Sequence, residues 1–254
     1  MRTPGAKGAA RANGSAGVKG SVEEMISIIP VEGIPEVSPG DELAELILGC
    51  ASLENRDVVV ITQKVVSKAE GRLVAFDPAA PDARRQLVLS ESTRVLRERE
   101  ELIISETRHG FVCANAGVDF SNVADGQAAL LPVDPDRSAR SVRDALRART
   151  GLEVGVIISD TFGRPWRIGV TDVAIGCAGI AAVIDLRGTT DVFGRELVAT
   201  EICVADEIAS AAELAKGKTG RIPVVIVRGL EPSWFRESSV KAEIVRPPNQ
   251  DLFR

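Results

Sequence analysis

Tyrosine is absent from this chain of 254 residues, histidine occurs once and cysteine four times. Each shortage removes a class of chemistry. Multi-histidine metal sites are excluded, and a Ser-His-Asp or Cys-His mechanism would have to run through His109, set in the polar, turn-like stretch Glu106–Gly110. Cys50, Cys113, Cys177 and Cys203 form no C-x-x-C pair, which rules out zinc ribbons and thioredoxin-like redox motifs. Aromatics are only 4% of the residues and the net charge is −5, so neither base stacking nor a basic footprint points to nucleic acid. No apolar run approaches the roughly 18 residues a membrane span needs. No G-x-G-x-x-G follows an expected strand, so a Rossmann site has no support. Gly217-Lys-Thr219 imitates the end of a P-loop, but Ala212 stands where the motif needs its first glycine, and the segment follows a helix instead of a strand. What remains are carboxylates, lysines, arginines and backbone amides, groups suited to hard cations such as Mg²⁺ or Mn²⁺ and the phosphates they carry.

Residues 1–24 are rich in Gly and Ala, with scattered Lys and Arg and no apolar h-region, and read as a disordered basic tail, not a secretory signal. Residues 25–254 read as one domain. With scattered cysteines and no export signal, a reducing cytoplasm is the expected location. Strands are expected at Ile26–Val31, Asp57–Thr62, Leu102–Ser105, Gly110–Cys113, Ala128–Val133, Val154–Ser159 and Ile222–Val227. Helices are expected at Asp41–Leu48, from Asp82 to about Glu100, at Ser138–Arg149 and at Thr200–Lys216. Strands and helices alternate unevenly, with hairpin-like pairs, so the expected class is α+β with a mixed sheet.

Among candidate residues Asp160 stands first, because a carboxylate at the end of a buried apolar strand is well placed to hold a divalent ion. Thr161 adds an oxygen, and Arg164 and Arg167 follow in what reads as a loop from Asp160 to Gly169, able to meet phosphate or carboxylate oxygens. A second polar loop, Asn115–Asn122, offers Asp119 as another metal oxygen and Asn122 as a ligand contact, although Asx-turn chemistry alone also explains both. Lys68 is a candidate phosphate contact. Lys216 and Lys218 reach an anion from a glycine-containing loop or lie in a solvated turn. Asp206 and Glu207 read as helix-surface residues.

Five segments then fall into a familiar order: Gly33-Ile-Pro-Glu-Val-Ser-Pro-Gly-Asp41, Thr62-Gln-Lys-Val-Val-Ser-Lys-Ala-Glu-Gly-Arg72, Ala116-Gly-Val-Asp-Phe-Ser-Asn122, Ser159-Asp-Thr-Phe-Gly-Arg-Pro-Trp-Arg167 and Val204-Ala-Asp-Glu207. In order and spacing they resemble the F420-0:gamma-glutamyl ligase family over about Ile26 to Leu230. The resemblance implies a GTP-dependent enzyme that adds L-glutamate to the deazaflavin precursor F420-0, then adds γ-linked glutamates through an acyl phosphate. It further implies an intertwined homodimer, Mg²⁺ or Mn²⁺, and K⁺ as an additional cation. By matching motifs, Ile34, Pro35, Glu36 and Val37 would line the nucleotide site, and Thr62, Gln63, Lys68 and Asn122 would contact GTP. Asp119, Asp160 and Thr161 would hold metal, with Lys68 and Arg164 assisting catalysis. The basic loop Lys216–Ile222 departs from the acidic or Gln-containing loop of many archaeal members and resembles the actinobacterial form, usually fused to a C-terminal nitroreductase-like domain that this sequence does not contain. A metal ligand from that loop is therefore not expected. The residues alone leave two other classes open: a metal-dependent phosphoryl or nucleotidyl transferase acting on another carboxylate, and an inactive nucleotide-binding partner subunit.

Overall fold

The computed structural model describes residues 25–121, 123–217 and 220–252; the expected basic tail, Asn122 and Lys218 lie outside the described residues. From the amino end, β1 (Ser27–Val31), α1 (Leu43–Cys50), β2 (Val58–Thr62) and α2 (Gln63–Ala69) lead to β3 (Leu73–Ala75). Then α3 (Ala83–Glu91), β4 (Ser92–Arg99), β5 (Leu102–Thr107), β6 (Val112–Ala114) and β7 (Gln127–Ala129) precede α4 (Pro135–Thr150). The carboxyl half holds β8 (Gly155–Arg164), β9 (Arg167–Ala178), the two-residue strands β10 (Ile184–Asp185) and β11 (Glu201–Ile202), α5 (Val204–Lys216), β12 (Val224–Arg228) and the single turn α6 (Val240–Glu243).

The main sheet runs β1-β12-β2-β8-β9, parallel between β2 and β8 and antiparallel elsewhere. The α+β, mixed-sheet expectation holds. β2 and β8 lie inside the sheet and are covered on both faces, which is why each reads as a continuous apolar run without alternation. Val59, Ile61, Val156 and Ile158 face α1 and α4, packing with Ile47 and Leu146. Their neighbours Val58, Val60 and Ile157 face α5, packing with Ala205, Ile208 and Ala212. Burial of each such side chain stabilises the fold by roughly 1.5–3 kcal/mol, so a polar substitution at any of these positions would open one layer. α4 begins three residues earlier than its apolar pattern suggests, because Asp134 accepts a hydrogen bond from Arg137 N at 2.9 Å and Pro135 fills the first turn; Gly151, with φ of 72°, stops it as expected.

Four expectations are corrected. The charged helix ends at Glu91, and Ser92–Arg99 is instead a bulged strand paired with β5. The supposed loop from Asp160 to Gly169 is a hairpin, with β8 continuing to Arg164 and pairing there with Arg167. The helix expected from Thr200 starts only at Val204, after the two-residue strand β11 at Glu201–Ile202. The strand expected to reach Val133 is shorter, covering only β7.

Smaller sheets, β4-β5-β6 and β3-β7, stand beside the main one. Under them Val88, Ile103, Val118 and Leu130 form a separate apolar cluster that supports the segment carrying Asp119. Two backbone hydrogen bonds, Asp119 N to Ala129 O at 2.9 Å and Ala129 N to Asp119 O at 2.8 Å, fix that residue's position. At the sheet margins, β1 contains Pro30, which has no N–H. Among the described residues β9 has no strand on its outer side; there Asp206 accepts from Ala174 N at 2.8 Å and Asp136 from Cys177 N at 2.9 Å.

Candidate functional site

Parallel pairing sets Thr62 opposite Ser159, so the carboxyl ends of β2 and β8 finish side by side. Ligand groups of mixed α/β proteins gather at such ends, because the chain there leaves the sheet and frees side chains for a crevice. From β2 the chain turns directly into α2, which carries Lys64. From β8 come Asp160 and Thr161. Just before Asp160 the β8–β9 register shifts: Ile158 pairs with Gly176 and Ser159 with Ala174, leaving Ile175 unopposed. Such a bulge bends the strand that carries it, here β9, and increases the local twist of the pair.

Lys64 closes the site from the α2 side. Its Nζ lies 2.7 Å from Asp119 Oδ2 and donates to Ser121 O at 2.8 Å. Asp119 Oδ1 accepts from both Ser121 N and Ser121 Oγ at 2.7 Å. Burial raises the proton affinity of the Asp119 carboxyl, but the hydrogen bonds from Lys64 and Ser121 outweigh it and hold the group below the usual carboxylate range. Asp160 goes the other way. Burial, with the charges of Asp119 and Asp172 adding to it against the Thr161 N–H, pushes it up to about 7. Two carboxylates in one field are thus split, one firmly ionised and one poised to keep a proton or exchange it for a cation.

Behind Asp160, Asp172 of β9 accepts from Thr161 Oγ1 at 2.6 Å and from Ser159 Oγ at 2.9 Å. Lys216, the last residue of α5, donates to Ser159 Oγ at 2.7 Å and forms an ion pair with Asp172, with Glu213 at 3.6 Å. The Lys216 and Asp172 side chains are 2% and 3% exposed. Burial opposes ionisation of Asp172, but Lys216 and the hydroxyls prevail and hold its carboxyl below the ordinary range. Removing one member of such a buried pair costs about 3–5 kcal/mol, since the other charge is left uncompensated.

The remaining candidates divide. Lys68, in the last turn of α2, forms an ion pair with the exposed Glu36, which ties the Ile34–Val37 segment to that helix. In that segment Val37 is buried and Ile34 packs on the core, while Pro35 and Glu36 are exposed. Thr62 ends β2, partly exposed. Gln63 differs from expectation: it is 1% exposed and its side-chain oxygen accepts from Ser67 Oγ at 2.9 Å, so the side chain is turned inward. Lys216 is likewise no loop cation, being buried. Arg164 sits near the hairpin tip, roughly 13 Å along the strand from Asp160, and does not join the carboxylates of its own chain. His109 stacks on Phe111 and contacts the Pro132 carbonyl at 2.9 Å; burial lowers its pKa, and its role is to hold a turn. Asp206 is half-buried, not a plain surface residue, and burial raises its pKa. It lines a separate cleft of 280 Å³ with Phe111, Phe162 and Arg246. Ser159 and Asp172 had escaped notice, although a charged residue inside the apolar run Val170–Ala178 is a visible signal.

Comparison with known sequences decides the family. The profile of F420-0:Gamma-glutamyl ligase matches residues 33–229. The chain belongs to the F420-0:gamma-glutamyl ligase family. Coenzyme F420:L-glutamate ligase of Methanothermobacter thermautotrophicus is 43% identical over 249 residues, covering 90% of this chain and 99% of that protein. The ligase of the same name from Methanopyrus kandleri is 46% identical over 246 residues, 90% of this chain and 98% of its own. That of Methanocaldococcus jannaschii is 38% identical over 249 residues, 91% and 98% respectively. The matched span contains Lys64, Asp119, Asp160, Asp172 and Lys216.

Among the described residues no group of three His, Cys, Asp or Glu side chains is arranged to hold a metal. The donor set nevertheless fits a hard cation such as Mg²⁺, which is commonly bound by one or two carboxylates, with phosphate and water completing the shell. Asp119 Oδ2, with its bond from Lys64, keeps lone-pair capacity. Burial and the charges of Asp119 and Asp172 work against an ionised Asp160, and a cation would offset them.

Proposed function

We propose that the chain is a GTP-dependent ligase that joins L-glutamate to coenzyme F420-0, and then adds further γ-linked glutamates, with Mg²⁺ or Mn²⁺ held between Asp119 and Asp160 and K⁺ as an additional cation. Membership of the family supports the ligase class, and the names of the relatives supply the coenzyme and the amino acid. The observation that carries the phosphate chemistry is Asp160, brought into the field of Asp119 and pushed up to about 7 by burial, a position that a divalent cation relieves.

Amide formation from a carboxylate and an ammonium is unfavourable in water, so the carboxylate needs a leaving group. In this reading a terminal carboxylate oxygen of the acceptor attacks the γ-phosphorus of GTP, the bond from that phosphorus to the β–γ bridging oxygen breaks, and GDP departs. The amine of glutamate, having lost its proton, attacks the acyl carbon; the amide forms and inorganic phosphate leaves. The cation supplies charge neutralisation on the phosphate oxygens. Lys64 and Ser121 hold Asp119 ionised in one orientation, and the pairing of β8 with β9 on either side of the bulged Ile175 fixes the backbone that carries Asp160. Lys68, tied to Glu36, offers a phosphate contact once that exposed ion pair opens. No side chain serves as nucleophile; positioning and electrostatics account for the rate.

The homodimer belongs to the same proposal. Trp166 and Ile168 on the β8–β9 hairpin, and Val192, Phe193 and Val198 between β10 and β11, are each at least 79% exposed, and a second copy of the chain covers them. Arg164 and Arg167 sit on the same hairpin, so the partner's phosphate site receives the arginines that its own carboxylates lack. All four cysteines are free thiols, in keeping with a reducing cytoplasm. Among the described residues no helix is long and apolar enough to cross a membrane.

Incubation with GTP, Mn²⁺, L-glutamate and F420-0 tests the proposal: product mass rises in steps of one glutamate with matching GDP release. Asp160→Ala and Asp119→Ala abolish both signals while leaving the circular dichroism spectrum intact. GDP release without a mass gain makes the protein a phosphoryl transferase on another acceptor, and neither signal makes it a binding subunit.

A further inference from the structure

Although a cleft of its own, the one lined by Asp206 borders the carboxylate site. Val173, on its wall, is the β9 residue directly opposite Asp160, and residues so paired share a face, with Cβ atoms roughly 4.5–5.5 Å apart. Phe162, also on the wall, follows Asp160 by two residues of β8, on the same face and about 7 Å further along. From β6 Val112 lines the cleft, and burial, then the charge of Asp160, push up the thiol of its neighbour Cys113. The walls are held before any ligand arrives. Phe111 and Phe162 meet edge to face with 6.2 Å between ring centroids, and Phe111 is stacked on His109. Ile244 N and Val245 N donate to Val240 O at 2.9 and 3.1 Å, and Val240 N is tied to Asp136 at 2.8 Å.

Its 280 Å³ is close to the lower end of the about 300–1,000 Å³ of small-molecule pockets. The charged groups on the lining are Asp206, Asp251 and the exposed Arg246. Two carboxylates make this a poor seat for a triphosphate, whereas aromatic and aliphatic walls with acceptors and one guanidinium suit a flat heteroaromatic ring edged with N–H and carbonyl groups. We propose that the cleft seats the flat ring of the acceptor, with the arm that ends in the reacting carboxylate directed along β8 toward Asp160. The proposal rests on the ligase reading above. β2 and β9 flank β8 on opposite sides, Lys64 and Lys68 follow β2, and the cleft lies against β9. Phosphate and ring thus approach Asp160 from opposite sides, as an attack by the acceptor carboxylate on the γ-phosphorus requires.

The test is binding of F420-0 without GTP, followed by fluorescence anisotropy of its ring as protein is added. Val112→Trp fills the cleft from a position that is 40% exposed, and is expected to weaken binding by about 10-fold or more. Arg246→Ala, at a surface position where folding is not at stake, removes a charged hydrogen-bond donor and is expected to cost about 10-fold. In turnover the KM for F420-0 rises with each loss, while the KM for GTP moves less than threefold. F420-0 affinity within twofold of wild type in both folded variants overturns the inference, and the ligase reading survives if glutamate is still added. A raised KM for GTP with F420-0 binding unchanged assigns the cleft to the guanine base and overturns it too. Wild-type protein that binds F420-0, loses it on Val112→Trp and yet adds no glutamate upholds the ring site while the ligase reading fails. Wild-type protein that binds no F420-0 overturns the inference outright.

Discussion

Asp136 offers the sharpest stability test, because one carboxylate holds together three segments far apart in sequence. It lies in the first turn of α4, 6% exposed. Oδ1 accepts from Cys177 N at 2.9 Å and from Val240 N at 2.8 Å, and Oδ2 accepts from Lys241 N at 3.0 Å. Replacement by alanine leaves these N–H groups without their acceptor, the first two in buried surroundings. A buried donor left unmatched costs about 1–3 kcal/mol, so two full losses and one partial loss come to about 3–5 kcal/mol. For a chain of this size each kcal/mol moves the midpoint by roughly 2–4 °C, which gives a Tm lowered by about 6–20 °C. Asp136→Asn retains an oxygen for Cys177 and Val240 but sets an amide N–H₂ against Lys241 N–H, and is expected to lose about a third as much. Urea denaturation followed by fluorescence of the two tryptophans, together with a thermal scan, measures both variants. If Asp136→Ala unfolds within 1 kcal/mol of wild type, the carboxylate is no anchor and the account of how the C-terminal segment is held is wrong.

Other perturbations extend the same reasoning. A Cβ on Gly176 would lie 2.3 Å from the Pro135 carbonyl carbon, so Gly176→Ala pushes α4 off β9 and destabilises by about 1–3 kcal/mol, whereas Gly163→Ala, with nothing within 4 Å, does not; equal unfolding free energies for the two would contradict the close approach. Burial pushes the Cys113 and Cys177 thiols up to about 12. Their folded pKa values exceed the unfolded value near 8.5, so each contributes stability that is present below about pH 8.5 and lost as pH rises toward 12, with a slope of up to ~1.4 kcal/mol per pH unit per thiol. Cys177→Ala should flatten that decline between pH 9 and 11, and an unchanged slope counts against the shift. Trp166→Ser with Phe193→Ser should convert a dimer to monomers in sedimentation velocity while preserving the far-ultraviolet spectrum; a dimer that survives both substitutions moves the interface elsewhere.

How much of this was readable in the sequence depended on where each residue's free energy came from. β2 and the first half of β8 declared themselves, because strands covered on both faces have no choice but to be apolar throughout. α4 was visible through its stop at Gly151, while its start was hidden in the Asp134–Pro135 cap. β4 was misread because Arg, Leu and Glu favour helix in isolation; pairing with β5, a tertiary effect, overrides that preference. The β8–β9 hairpin was mistaken for a loop since Gly163, Pro165 and Gly169 punctuate it, and only the cross-strand register shows that they bend a ribbon. At the site, Asp119 and Asp160 could be named singly from their settings, but their opposed proton affinities arise from Lys64, Ser121 and burial, which no local pattern encodes. Lys216 looked like a mobile cation on a glycine-rich loop because sequence gives its charge and not its depth.

The margins of the main sheet carry one more consequence. A β-sheet ends where its next row of amide hydrogens finds something other than another strand, and here both ends are chemically closed: Pro30 removes a donor from β1, and Asp206 and Asp136 occupy donors of β9. Copies of this chain are thereby denied those amide donors for lengthening the sheet. Substitution of Pro30 or Asp206 restores an amide donor at a sheet margin, and is expected to raise the tendency to aggregate, read by light scattering at rising protein concentration.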